Sequence, residues 1–112
     1  EEISIYNQGK FFRDFIYIDD VISGINTILK KGKPGELYWI SSGKRTWFYK
    51  FGDILEKTTG CKVKYSETPV YTKKVDVGNF VVNNSKLRNL GWKPKISVND
   101  GIKKTLNFFQ SS

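Results

Sequence analysis

The sequence predicts a mixed α/β (α+β) domain: a small sheet with about four helices. Short runs rich in β-branched and aromatic residues occur at 3–6, 15–18, 36–40 and 61–65. Apolar residues recur at helical spacing across 19–31, 46–59 and 97–109. Glycine and proline punctuate these segments at Gly9, Gly32, Pro34, Gly60, Gly91 and Pro94. The order β-β-α-β-α-β-α-α, with no internal repeat, low-complexity tract or linker, argues for one domain over residues 1–112.

Ile3-Ser4-Ile5-Tyr6 alternates and reads as a short strand, closed by the turn Asn7-Gln8-Gly9-Lys10. Phe15-Ile16-Tyr17-Ile18 reads as a buried strand. Asp19 and Asp20 then offer an N-cap and favourable charge to a helix carrying Val21, Ile22, Ile25, Ile28 and Leu29, stopped by Gly32 and Pro34. Glu36–Ile40 is predicted to be extended. Thr46 caps a helix whose apolar face is Trp47, Phe48, Phe51, Ile54 and Leu55, ending at Gly60. A short strand follows at 61–65, then an irregular polar stretch at 66–79 and an extended Phe80-Val81-Val82. Ser85 caps a short helix to Leu90. Ser97 caps the last one, with Val98, Ile102, Leu106 and Phe109 on one face and Asp100 at its third position.

Composition narrows the function. Hydrophobic residues make up 38% and charged residues 27%, a globular balance, and no apolar run approaches the ~20 residues that span a bilayer. Glu1-Glu2 stand where a secretory leader is basic. The single cysteine, Cys61, excludes an internal disulfide, and a reducing, cytoplasmic setting is expected. The net charge of +8 favours anionic partners, although lysines are spread from Lys10 to Lys104 with no run longer than two, as on an ordinary solubilising surface. There is no histidine, no Cys/His cluster for zinc and no glycine-rich phosphate loop after the first strand. The adjacent Asp19 and Asp20 read as helix-start residues rather than a metal or acid pair. No catalytic constellation is visible.

Four segments, in order, resemble a known family: residues 5–21 (Ile5-Tyr6-Asn7-Gln8-Gly9-Lys10-Phe11-Phe12-Arg13-Asp14-Phe15 onward), 35–43, the run Asn84-Ser85-Lys86-Leu87-Arg88-Asn89-Leu90-Gly91-Trp92-Lys93-Pro94, and 97–102. Together they are similar to the second half of the extended short-chain dehydrogenase/reductases that include nucleotide-sugar epimerases and 4,6-dehydratases. The resemblance implies the carboxy-terminal, substrate-binding part of that fold. The family's NAD(P)-binding Rossmann half, with its glycine fingerprint and Tyr-x-x-x-Lys pair, has no counterpart in the sequence. With the absence of Met, this leads us to expect a piece of a longer protein. Such a piece would be inactive alone and bind no cofactor itself. It could expose apolar surface and self-associate.

By the same resemblance Arg13 grips the substrate pyrophosphate, a role that suits the planar guanidinium fork; the alternative is a surface arginine or an ion pair with Asp14. Lys73, or Lys74, occupies the region of a second phosphate-binding arginine, and Asp76 would touch a ribose hydroxyl or orient the lysines. Ser4, Ile5 and Tyr6 match the strand lying along the nucleotide base; a plain edge strand is the alternative. Phe11 and Phe12 depart from the family, and packing is the favoured role. Tyr17 and Tyr38 read as core or rim, Trp92 as structural, and Asp14, Asp19 and Asp20 as caps or buried acceptors. Trp39 replaces what is often Asn. The expected partners are a nucleotide-diphosphate sugar and the Rossmann half, with no membrane. A nucleic-acid-binding module, suggested by the charge and the 15% aromatic content, is disfavoured because the aromatics fall on apolar helix faces. A non-catalytic interaction domain is the third reading.

Overall fold

In the computed structural model, which describes residues 2–69 and 79–110, β1 (Glu2–Ile5) lies parallel to β4 (Lys62–Tyr65), with Glu2 opposite Lys62 and Ile5 opposite Tyr65. Alternation sets which side chains go inward: Ile5 and Val63 are buried, while Ser4, Lys62 and Lys64 are exposed. After Tyr6 the chain turns through a 3₁₀ segment, Asn7–Gly9, in which all three residues have positive φ. Glycine is required at the last of them, because a methyl group at Gly9 would sit 2.8 Å from the Tyr49 backbone nitrogen.

A second ribbon pairs β2 (Phe12–Arg13) antiparallel with β3 (Thr46–Trp47), Phe12 opposite Trp47 and Arg13 opposite Thr46. Thr46 is thus a strand residue and not the cap of the next helix. α2 (Phe48–Thr59) starts behind Trp47 and ends, as the sequence predicts, at Gly60 with φ 77°.

The apolar run at 15–18 is not a strand. Phe15, Ile16 and Tyr17 are half-buried and irregular, and Ile18 opens α1 (Ile18–Lys31). Side-chain packing accounts for the run: Phe15 stacks on Phe51 at 4.9 Å, and Tyr17 lies against Gly101. Tyr17, not Asp19 or Asp20, holds the N-cap position, and its carbonyl accepts the Asp20 and Val21 N–H groups. Residues 36–40 form no strand either, since no neighbouring strand pairs with them among the described residues. Their alternation survives without a ladder: Leu37 and Trp39 are exposed, Tyr38 and Ile40 half-buried. Phe80-Val81-Val82 likewise lies outside any strand.

α3 (Ser85–Asn89) is preceded by Asn84 at the N-cap position, so Ser85 is its first residue; the Ser85 N–H donates to Asn83 Oδ1. α4 (Val98–Gln110) is capped as expected, with the Asp100 N–H donating to Ser97 Oγ at 3.1 Å. Ile102 is buried, but Phe109, expected on the same buried face, is 68% exposed.

Among the described residues, two glycines mark close-packed centres of the core. Ile5 and Val63 close on Gly52 of α2. Leu87, Trp92 and Ile40 close on Gly24 of α1. Trp92 Nε1 donates to Ser23 Oγ at 2.9 Å, which satisfies the buried indole and confirms its structural role. α1 gathers its apolar residues on one face, but most of that face is not buried. Gly24 is buried and Ile28 half-buried, whereas Ile18, Ile22, Ile25 and Leu29 form an outward stripe 46–79% exposed.

Candidate functional site

The β2–β3 ribbon sorts its side chains by the period of two. Phe11 and Arg13 fall on one face. Phe11 stacks on Phe48 at 4.2 Å, and the Phe48 N–H donates to the Phe11 carbonyl, prolonging the ribbon by one pair. The Arg13 guanidinium carbon lies 5.0 Å from the Phe11 ring centroid and 5.4 Å from that of Phe80, within cation–π range of both. Its Nη1 donates to the Phe12 carbonyl at 3.0 Å. On the opposite face Phe12 meets Trp47 edge-on at 5.0 Å, Arg45 lies over Phe12, and Trp47 stacks with Tyr49. Phe11 and Phe12 therefore pack, as expected, but Phe11 does so directly beneath the candidate phosphate-binding cation.

Asp14 anchors this region. One carboxylate oxygen accepts the Ser42 N–H and the Ser42 hydroxyl; the other accepts the Gly43 N–H at 3.0 Å and the Val82 N–H at 3.2 Å. Asn84 adds a bond to the Ser41 carbonyl, and Ser41 Oγ donates to the Val82 carbonyl. Asn79 Oδ1 accepts the Phe12 N–H. Residues 79, 80 and 82 thus clip onto 12, 13 and 14 through side-chain contacts. Sequence reasoning does not find Phe80 or Asn79, since a contact across more than sixty residues leaves no local periodicity to read. Asp20, 4% exposed, accepts the Lys95 and Ile96 N–H groups, which makes it a buried acceptor.

Ser4 and Ile5 lie on β1, in the other sheet from Arg13, and Tyr6 follows directly after the strand. Ser4 and Tyr6 are exposed, while Ile5 belongs to the core at Gly52 and its carbonyl accepts the Ser66 N–H. Ile5 can offer a ligand only its backbone. Lys73, Lys74 and Asp76 fall outside the described residues.

Among the described residues three groups have clearly shifted pKa values. The Lys86 ammonium, hydrogen-bonded to Glu36 at 2.9 Å, holds the Glu36 carboxyl below its ordinary range, and Glu36 in turn raises Lys86. Burial, reinforced by Asp53 and Glu56, raises Tyr65. None of these adjoins Arg13 in the ribbon. Among the described residues no three His, Cys, Asp or Glu side chains converge as a metal site, and no helix is long and apolar enough to cross a membrane. An apolar hollow of about 240 Å³ lies between residues 15–17, α2 and α4; Arg13 is not in its lining, and neither is any other charged residue. A dinucleotide cradle needs a strand that runs into a glycine-rich helix N-terminus. β1 runs instead into the 3₁₀ turn and β4 into the irregular stretch 66–69, so the described parallel pair does not fit one.

Comparison with known proteins agrees with this architecture. The chain is 28% identical over 113 residues to human dTDP-D-glucose 4,6-dehydratase, covering 96% of this chain and 32% of that protein. It is 29% identical to the UDP-glucose 4-epimerase of Thermotoga maritima, solved with UDP-glucose, at a TM-score of 0.81 over 99% of this chain and 35% of the epimerase. It is also 29% identical to WbmF of Bordetella bronchiseptica, solved with NAD+, at a TM-score of 0.77 over 96% of this chain and 31% of WbmF. The chain spans about a third of the length of the curated relatives it matches. The family profile described as GDP-mannose 4,6 dehydratase matches residues 1–105, and on that match the chain belongs to this family of NAD-dependent nucleotide-sugar epimerases and dehydratases.

Proposed function

We propose that the chain is the nucleotide-sugar-binding part of an NAD-dependent epimerase or dehydratase, with Arg13 gripping the substrate pyrophosphate. In this reading residues 1–112 are the carboxy-terminal, substrate-side portion of a cytoplasmic isomerase or lyase. A separate Rossmann half holds NAD(P) and carries out hydride transfer, and the present chain alone is inactive.

The observation that carries the reading is the outward stripe of α1. A helix whose single apolar face is turned outward belongs against another body. Ile18, Ile22, Ile25 and Leu29 are exposed among the described residues, and so are Leu37 and Trp39 on the segment that follows. The radius of gyration, 16.4 Å, exceeds the ~13 Å of a compact 100-residue domain, and the molecule is only 20 Å thick. Both features suit a slab that packs against a second body of the same polypeptide. The relatives' ligands, UDP-glucose and NAD+, support the assignment of substrate and cofactor classes.

Arg13 supplies charge and a bidentate donor fork. Residues 4–6, at the end of β1, supply the contact for a base edge, and Lys73 and Asp76 the second phosphate and ribose contacts. The test is an NMR titration of the chain with UDP-, dTDP-, GDP- and CDP-linked sugars, repeated with Arg13→Ala. With only one wall of the cleft present, binding is expected near millimolar, about −4 kcal/mol. Shifts confined to residues 4–6, 13 and 73–76 that vanish in the variant support the reading. If none of the four ligands moves these residues while a short oligonucleotide shifts the lysine-bearing surface, the nucleic-acid reading replaces it.

A further inference from the structure

We propose that Phe11 and Phe80 are positioning residues for Arg13: together their rings fix the plane of the guanidinium that meets the diphosphate. The inference rests on the substrate-side reading above and adds two residues to it.

An arginine side chain has four rotatable bonds before its fork, and immobilising it opposes binding. Binding is therefore stronger where the fork is already held. Here the restraint is built from several contacts. The guanidinium carbon lies 5.0 Å from the Phe11 centroid and 5.4 Å from that of Phe80, and Nη1 is tied to the Phe12 carbonyl. Phe11 is itself immobilised, stacked on Phe48 at 4.2 Å, and Phe48 stacks on Phe51. Phe80 is held through its neighbours: Asn79 on the Phe12 N–H and Val82 on the Asp14 carboxylate. The rings restrain the flat cation by its face and bring no negative charge of their own. Phe80 is 42% exposed, more than a residue kept only for the core would be. It also directly follows the segment that carries Lys73 and Asp76 in sequence.

The test compares UDP-glucose binding to the 112-residue chain with that of Phe11→Leu, Phe80→Leu, Phe11→Trp and Arg13→Ala, by NMR titration. Leucine keeps apolar bulk and removes the ring face. Each leucine variant is expected to weaken binding about fivefold, ~1 kcal/mol, with Phe11→Trp restoring it. The Arg13 Nε–Hε resonance, shifted by ring currents in the native chain, is expected to move toward its random-coil position in both leucine variants. The indole signal of buried Trp92, which packs against Gly24 and Ser23 of α1, reports whether the fold is intact. Phe80→Leu, at an exposed side chain, guards against loss of folding in the Phe11 variant. If Arg13→Ala abolishes binding but both leucine variants bind as the native chain does, the positioning role is overturned while the substrate reading stands. If UDP-glucose produces no Arg13-dependent shift, both fall together.

Discussion

Asp14 holds Ser42 at two points, accepting both its backbone N–H and its hydroxyl on one carboxylate oxygen, and uses the other oxygen for Gly43 and Val82. Asp14→Asn replaces one acceptor oxygen with an NH₂ that faces other donors. Hydrogen bonds to a charged acceptor contribute ~1.5–3 kcal/mol each, but this carboxylate is only part-buried, so a net loss of ~2–3 kcal/mol in urea unfolding is expected. Amide exchange should quicken at Ser42, Gly43 and Val82 before it does at β1. A loss below ~0.5 kcal/mol would mean that water takes over the carboxylate's part.

Asp20 and Asp19 are neighbours in sequence with different roles. Asp20→Ala strands the Lys95 and Ile96 N–H groups, at ~1–3 kcal/mol for each unsatisfied donor, and a total of ~2–4 kcal/mol is expected. Asp19 is exposed in the first turn of α1, and Asp19→Ala should cost no more than the ~0.3–1 kcal/mol of a helix-dipole contact. Equal losses at the two positions would contradict the assignment of Asp20 as a buried acceptor.

Gly52→Ala sets two effects against each other. Alanine in a helix interior gains ~1 kcal/mol over glycine. The added methyl would, however, sit 2.7 Å from Tyr65 Oη, 2.9 Å from Ile5 Cδ1 and 3.2 Å from Val63 Cγ1. Overpacking costs ~1–3 kcal/mol, and at these distances the upper half of that range applies. A net destabilisation of ~1–2 kcal/mol by thermal or urea unfolding is expected; a stabilised variant would show that β1 and β4 can move away from α2.

Ile25→Lys should leave the stability of the isolated chain within ~0.5 kcal/mol, as at other exposed positions. It should also lower the sedimentation coefficient at high concentration if the α1 stripe drives self-association. Unfolding of this variant would mean that the stripe is covered within the chain itself.

The Glu36–Lys86 pair makes stability depend on pH in a defined direction. The Glu36 pKa is lowered in the folded state, so its contribution is present above the ordinary carboxylate pKa and is lost as pH falls through the folded value. The Tm difference between the native chain and Glu36→Gln should be small at neutral pH, close as the solution is acidified, and shrink in high salt, because both partners are solvent-exposed. A difference that grows on acidification would exclude the pair as its source.

Helix ends were readable where local chemistry decides them. Gly60 adopts the left-handed conformation after α2, and Ser97 caps α4 through its hydroxyl. The runs at 15–18 and 36–40 read as strands because apolar alternation reports which side chains are buried, whereas a strand needs a neighbouring backbone. Phe15 meets Phe51 and Tyr17 meets Gly101 without any ladder. Arg13 stood out through its fork chemistry and the surrounding Arg-Asp-aromatic pattern. Its contact with Phe80 did not, because that ring reaches it through the tertiary fold. Ser4 and Ile5 lie on one strand as read, whereas Tyr6 falls just past its end at the start of the 3₁₀ turn; the strand period, which buries Ile5 and exposes Ser4, means that they cannot contribute in the same way.

The pairing of β1 with β4 sets an order on how this chain acquires its structure. Glu2 and Lys62 meet in parallel although they lie sixty residues apart in sequence, and everything from the 3₁₀ turn to the end of α2 lies inside that closed ring. Closing so long a loop costs entropy before any contact between the strands repays it. α1 and α2, whose hydrogen bonds are local, can form while β1 is still unpaired. The first strand therefore joins late, and on the ribosome it waits until Tyr65 has emerged, with Ile5 exposed to whatever else can bind an open strand edge.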